Sequence, residues 1–342
     1  MSHEITIRKN GKAEMAYVGT KPWHGLGEEL PAGAPIETWL AAAGMDWTVQ
    51  RSKVRYAVAR NAIGDTFAEW PDYHVLMRSD TKAPLGMVSD GFKVVQPKDV
   101  LEFFRDLVEV AGFKLETAGT LRGGSKCWAL ASIGAEDNIV GHDLVRGRLM
   151  MATAFDGTMK TLVKNVAERV VCANTLRIAL GESGAPEVKV SHRSVFDAKA
   201  VKAQLGIAVD SFARFIVDAR RLAARKVDMA EANALVGGLF DPTLSPNAKA
   251  PLSHLEQIKA MAAVADDKAF KKIIALFGGE GRGANLPGVK GTAWGVVNAV
   301  TEYVDHHARA RNDSNRIESA WFGRGEAMKA QAMEDTLVYV LR

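Results

Sequence analysis

Two runs of alternating residues on either side of Asp156-Gly157 constrain this chain more than any other stretch. An Asp-Gly pair favours a two-residue type I′ hairpin turn, in which both central residues take positive φ. Before it, Arg146, Arg148, Met150, Ala152 and Ala154 alternate with Leu149, Met151, Thr153 and Phe155. After it, Lys160, Leu162, Lys164, Val166, Glu168 and Val170 alternate with Thr161, Val163, Asn165, Ala167, Arg169 and Val171. Period two places each set on one face of a ribbon. The reading then expects a helix that starts at Asn174, a good N-cap, and stops at Gly181, a good C-cap.

Upstream, residues 114–121 and 125–133 read as strands joined by Arg122-Gly123-Gly124. With the Asp156 hairpin they make four successive strands followed by a helix. Strands joined by short turns pair antiparallel. Further strand-like runs lie around Trp47–Ala59, His74–Arg78 and Gly86–Val95, punctuated by Asn61, Gly64 and Ser79-Asp80. Ile36 to Ala43 is a short helix ended by Gly44, and Asp99 to Val110 is an amphipathic helix with Pro97 in its first turn. After Pro186 the texture becomes helical. Ser194 and Asp197 have the spacing of a capping box. Val201, Leu205, Ala208, Phe212, Phe215, Ala219 and Leu222 then recur at heptad steps, which suits core packing or a subunit contact. Helices are expected over 229–240, 252–264, 267–277, 291–309 and 325–341. The fold class is therefore α+β. An antiparallel β-meander with helices fills the N-terminal half, and a mostly helical half follows. The expected division is 1–190 for an α+β core domain and 191–342 for a helical domain.

Chemistry is sparse. Gly278-Gly279-Glu280-Gly281-Arg282-Gly283 lacks the Lys and the preceding strand of a phosphate loop, and reads as a loop between helices. His306 and His307 are adjacent on a helix and point apart, so no metal is assigned. Ser191-His192-Arg193 reads as a domain-edge turn. Cys127 and Cys172 form no CxxC pair, which fits buried thiols in a reducing cytoplasm. No apolar run reaches the ~18 residues of a membrane span. No catalytic residue and no cofactor are assigned. Net charge is only +4, but residues 141–230 hold 15 Lys and Arg against 9 Asp and Glu. A local basic excess on a strand ribbon is compatible with nucleic acid.

Four motifs carry a family resemblance: Pro22-Trp23-His24-Gly25-Leu26-Gly27, Val170-Val171-Cys172-Ala173-Asn174-Thr175-Leu176, Gly291-Thr292-Ala293-Trp294 with Asn298-Ala299-Val300-Thr301-Glu302-Tyr303, and Ala320-Trp321-Phe322-Gly323. In this order they resemble the phage/plasmid-like family built on domain of unknown function 932. The resemblance implies a mobile-element protein in the cytoplasm of a bacterial host, and it carries no activity. At the level of architecture, a strand meander followed by a helix is similar to the core of single-strand annealing recombinases. That likeness implies a non-enzymatic, oligomeric protein, built as a ring or filament, that holds single-stranded DNA in a basic groove without ATP.

The expected function is thus single-stranded DNA binding and annealing in homologous recombination of a phage or plasmid. The expected phosphate contacts are Arg122, Lys126, Arg146, Arg148, Lys160, Lys164 and Arg169. Trp128 or Phe155 would stack on bases. Asn165, Asn174 and Arg177 complete the candidate nucleic-acid-binding set. The expected partners are single-stranded DNA and further copies of the chain, with no membrane. The alternative is a protein-binding accessory or host-modulating factor that uses the helical half. An enzyme with His24 as general base is the third reading.

Overall fold

The hairpin around Asp156-Gly157 lies towards one side of an eight-stranded sheet. The structure, a computed structural model, describes residues 5–19, 25–61, 64–109, 112–169, 174–178, 188–200, 208–245, 248, 252–309 and 319–342. In chain order the strands are β1 (Met15–Val18), β2 (Glu28–Leu30), β3 (Val49–Asn61), β4 (Gly64–Arg78), β5 (Pro84–Ser89), β6 (Lys114–Leu121), β7 (Lys126–Asn138), β8 (Leu144–Ala154), β9 (Thr161–Arg169), β10 (Asn174–Ile178) and β11 (Val188–Val190). The large sheet has the order β10-β9-β8-β7-β6-β1-β2, and β11 lies beyond β10 along the same edge of β9. β3-β4-β5 form a separate three-stranded sheet. From β6 to β10 every neighbour is antiparallel.

Two expectations about the hairpin need correction. The connection is not a two-residue turn. Strand β8 ends at Ala154 and β9 starts at Thr161, so six residues join them. Asp156 folds this loop by accepting from the amide and hydroxyl of Thr158, and Gly157 takes a φ of 74°. The backbone N–H of Phe155 donates to Ser125, which spends the turn's geometry on a third strand. Nor does a helix follow. Asn174–Ile178 is β10, paired with Asn165–Arg169. The paired edge of β9 outweighs the capping preference of a single asparagine.

The helices are α1 (Ile36–Ala42), α2 (Pro97–Glu109), α3 (Ala208–Ala224), α4 (Met229–Gly237), α5 (His254–Ala265), α6 (Lys268–Ala275), α7 (Ala293–Glu302) and α8 (Arg324–Leu341). One face of the large sheet carries Ala129, Ala131, Val145, Leu149, Met151, Val163 and Ala167, all buried. Helices α2, α3 and α7 add Phe103, Phe104, Phe212, Phe215 and Trp294 to the same cluster. This core runs without a break across residue 190. Close packing is strict at Gly147, where a Cβ would come within 2.7 Å of Ile133 and 2.9 Å of Phe212. The described part of the heptad seam is used here: Phe212, Phe215, Ala219 and Leu222 are buried within the chain. The helix cap nearby falls to Asp197, which accepts from the amides of Lys199 and Ala200, rather than to Ser194. The other sheet face is closed by a smaller cluster of Ile5, Met15, Leu121, Trp128, Ala152 and Leu162, with Trp321 and Phe322 packed on it.

The small sheet is fastened to the large one by a buried ion network. Arg78, the last residue of β4, meets Glu14 through two hydrogen bonds of 2.7 and 2.9 Å. Both side chains are at most 3% exposed. Arg78 also donates to Asp80 and to the Gly123 carbonyl, and its guanidinium lies 4.3 Å from the centre of the Trp47 ring. The Arg78 guanidinium holds the Asp80 carboxyl below the usual carboxylate range.

Arg78→Met should lower stability by about 2–4 kcal/mol, because it removes the buried partner of Glu14 and leaves the carboxylate only Arg8 and the Thr120 hydroxyl; urea denaturation measures it. A lowered folded-state pKa at Asp80 adds stability that is present above the unfolded-state value of about 4 and lost as pH falls from there through the lower folded-state value. Asp80→Asn should therefore reduce the steepness with which stability falls below about pH 4, read from unfolding midpoints across an acid series.

Candidate nucleic-acid interface

The ladders of β7, β8 and β9 decide which basic side chains share a face. Ser132, Arg148 and Val166 form one row across the strands, Glu136, Arg146 and Glu168 another, and Leu130, Met150 and Lys164 a third. Arg146, Arg148 and Lys164 therefore share a face, as period two requires. What lies on that face sets their chemistry. Arg148 is held between the carboxylates of Glu116 and Glu168, with 11% of its side chain exposed. The Lys164 ammonium is buried; it donates to Glu326 at 2.8 Å and to the Trp321 carbonyl, and lies 5.3 Å from the Phe322 ring centre. Arg146 stays partly open and pairs with Glu136 at 3.1 Å. Trp128 is buried edge-on against Trp321 at 5.2 Å, and its indole N–H has no hydrogen-bond partner among the described residues. Lys126 is buried in the same neighbourhood.

The opposite face takes two more of the expected residues. Arg169 is buried against Asp143 and reaches the carbonyls of Arg282 and Gly283. Asn165 is fully buried, and neither end of its amide meets a partner among the described residues. Phe155 is buried against Trp47. Arg122 is exposed on the β6–β7 turn with a φ of 54°. Asn174 and Arg177 lie on β10, and their side chains fall outside the described residues. Of the expected strip, Lys160 stands in solvent on the β8–β9 loop.

Lys160 borders a cleft of about 310 Å³ that brings together two stretches distant in sequence. Val190 of β11 pairs with Thr161 of β9, so the next residues out, Ser191 and Lys160, enter the cleft side by side. Arg193 is exposed at its rim. Ser89 and Met87 of β5 form the far wall. The wall is close because Gly86 has no side chain: a Cβ there would come within 2.5 Å of the Asp156 Cα. Among the described residues no carboxylate lines the cleft. His192 fixes its floor. The ring stacks on Phe92 at 4.2 Å, with Nδ1 3.1 Å from the Lys93 carbonyl and Nε2 3.0 Å from the Met159 carbonyl. A neutral imidazole donates to one of these oxygens; the imidazolium donates to both. The Ser191-His192-Arg193 stretch, read as a domain-edge turn, is thus part of a cationic cleft.

Beside the cleft lies an aromatic step absent from the sequence-based set. Tyr73 pairs with Ser89, and Val75 with Met87, so Tyr73 shares the face of these cleft residues. Trp70 packs on Tyr73 with ring centres 4.5 Å apart, and Trp70 is 43% exposed. Residues 64–73, which the strand-like runs do not include, belong to a 15-residue β4. The available signal was Trp70-Pro71-Asp72-Tyr73, two aromatics around a proline that an edge strand tolerates.

Other candidates take structural roles. The glycine-rich stretch is held down: the Arg282 amide donates to buried Glu302 at 2.8 Å. Burial pushes the Cys127 thiol far up, which makes it a poor nucleophile. Among the described residues no group of three His, Cys, Asp or Glu side chains is placed to hold a metal ion, and no helix is long and apolar enough to cross a membrane. Trp23 and His24 lie outside the described residues.

In comparisons with known proteins, the family model described as domain of unknown function (DUF932) matches residues 84–321. No curated protein and no solved structure matches.

The two groups of cations should separate by stability. Lys164→Gln and Arg169→Gln should each cost about 3–5 kcal/mol, since each removes the cation paired with a buried carboxylate. Lys160→Gln and Arg193→Gln should stay within about 0.5 kcal/mol of the wild type. Urea denaturation of the four variants checks this.

Proposed function

The chain belongs to the DUF932 family, and from the geometry of its cleft we propose that it is a non-enzymatic single-stranded DNA-binding protein. The observation that carries the reading is the junction of Lys160, Arg193 and the Ser191 hydroxyl with the Trp70–Tyr73 step. A nucleic-acid strand presents phosphates and flat bases side by side. A cationic cleft with no carboxylate among the described residues of its wall suits the phosphates, and an aromatic pair with Trp70 exposed stacks bases of any sequence. The binding surface is then the loop that joins β8 to β9 rather than the sheet face, because Arg146, Arg148 and Lys164 on that face already have carboxylate partners and Lys126 is buried.

The use we infer for such binding is annealing of complementary strands during recombination of a phage or plasmid genome. Its support is the meander from β6 to β10 and the motif resemblance, and it needs no nucleotide. The mild overall charge of +4 fits a protein that must release DNA after pairing it.

Fluorescence anisotropy with a labelled oligothymidine across a salt series tests the binding. For single strands the salt slope scales as about 0.7 per neutralised phosphate. Lys160→Gln with Arg193→Gln should flatten the plot of log K against log salt by about 1.4. Trp70→Ala should weaken binding by about 1–3 kcal/mol and leave the slope unchanged. A wild type with no salt-dependent binding, or a double variant with the wild-type slope, would overturn the assignment.

A further inference from the structure

Beyond the part of β4 that β5 covers, the β3–β4 hairpin continues as a two-stranded arm. β5 pairs only with residues between Tyr73 and Met77, so over residues 54–70 neither outer edge has a neighbouring strand among the described residues. At ~3.4 Å per residue, the eight residues from Val54 to Asn61 give the arm a reach of roughly 27 Å. It is apolar where most surface ribbons are polar: Tyr56, Val58 and Phe67 are each more than half exposed. Free edges and exposed apolar side chains together mark a surface for another protein.

The charge pattern narrows the partner. Over residues 54–70, Arg55 and Arg60 balance Asp65 and Glu69, so the arm is neutral. That argues against a polyanion as its occupant. The balance hides a separation. β3 carries Arg51, Lys53, Arg55 and Arg60 and no carboxylate, while residues 64–72 carry Asp65, Glu69 and Asp72 and no cation. Within the arm Arg55 is in register with Glu69 and Arg60 with Asp65, and Glu69 takes Lys53 at 2.7 Å and Arg55 at 3.0 Å. Each arm therefore offers one basic edge and one acidic edge.

We infer that the arm joins copies of this chain: the outer edge of β3 in one copy pairs antiparallel with the outer edge of β4 in the next. In that arrangement the rungs of the single arm repeat between arms, cation against carboxylate. Joining two β4 edges would set carboxylates against carboxylates, and joining two β3 edges would set cations against cations. The contact is head to tail, so it closes into a ring or extends as a filament according to the rotation per copy. Pro71 lacks an N–H and lies in the register shift between Lys53/His74 and Val54/Trp70, which ends the pairing edge at Trp70. The pairing uses edges and leaves the Trp70–Tyr73 face open, so assembly and the proposed DNA binding are separable.

Light scattering coupled to gel filtration, without DNA, tests the inference. The wild type should run as more than one copy in the micromolar range. A variant with residues 54–70 replaced by an Asn-Gly turn should be a monomer with unchanged unfolding of the remaining fold. Arg55→Glu with Arg60→Glu, and separately Asp65→Lys with Glu69→Lys, should each be monomeric. Mixing these two variants should restore the wild-type mass, and so should the fourfold variant, which keeps every rung within the arm. Lys160→Gln with Arg193→Gln should assemble like the wild type. A monomeric wild type, a shortened arm that still assembles, or a mixture that stays monomeric would each overturn the inference. If a twofold reversal unfolds, the shortened-arm and fourfold variants still decide it.

Discussion

The Asp143 carboxylate joins the sheet to the helical half. It is fully buried, and it accepts from Arg169 of β9 and from the Trp294 indole of α7 at 3.0 Å. Arg169 goes on to the carbonyls of Arg282 and Gly283, and Glu302 at the end of α7 holds the amide of Arg282. One charge pair thus fixes a strand, a helix and a glycine-rich loop relative to one another. A buried pair of this kind adds little net stability over an apolar packing of the same volume, but removing either partner leaves an uncompensated charge. Its effect is therefore on registration. The helical half packs on the sheet in one position, fixed at the end of β9 opposite the cleft.

Much of this fold was legible in the residues. The β6–β7 turn at Arg122-Gly123-Gly124, the meander, α1 with its Gly44 stop and most helices of the second half follow from turn chemistry and periodicity. The failures have a common cause. Asn174 has the side chain of a helix cap, but an open strand edge was waiting in β9. Asp156-Gly157 has the composition of a tight turn, but the Ser125 carbonyl takes the preceding amide, that of Phe155, and the loop widens. In both cases a partner remote in sequence overrode a local preference, and local preference is worth only tenths of a kcal/mol to about 1 kcal/mol per residue.

The candidate site was legible only in part, for a related reason. Alternation correctly put Arg146, Arg148 and Lys164 on one face. It gave no sign of what covers that face. Glu326 and Trp321 come from more than 150 residues further along, and Glu116 comes from β6, two strands away in the sheet. A run of cations on a strand therefore has two readings, an anion surface or a set of buried pairs, and sequence period does not separate them. Lys160 escapes because it sits past the end of the ladder, where no rung brings a carboxylate opposite it.

Electrostatics then divides the surface by function. On the large sheet Arg146, Arg148, Lys164 and Arg169 are each neutralised by a carboxylate from a neighbouring strand, a loop or α8, so these side chains are committed to the fold. On the arm Glu69 is paired with Lys53 and Arg55, and the charges are segregated by strand, so the two strands carry opposite charge while residues 54–70 together remain neutral. Around Lys160 and Arg193, by contrast, cations line a concave surface with no carboxylate among the described residues of its wall. Three charge arrangements in one chain thus go with one structural role, registration inside the core, and with the two proposed ones, joining of like copies at the arm and attraction of an anion at the cleft. The same Coulomb term serves each, and what differs is whether the opposite charge lies in the same chain, in the next copy, or in the ligand.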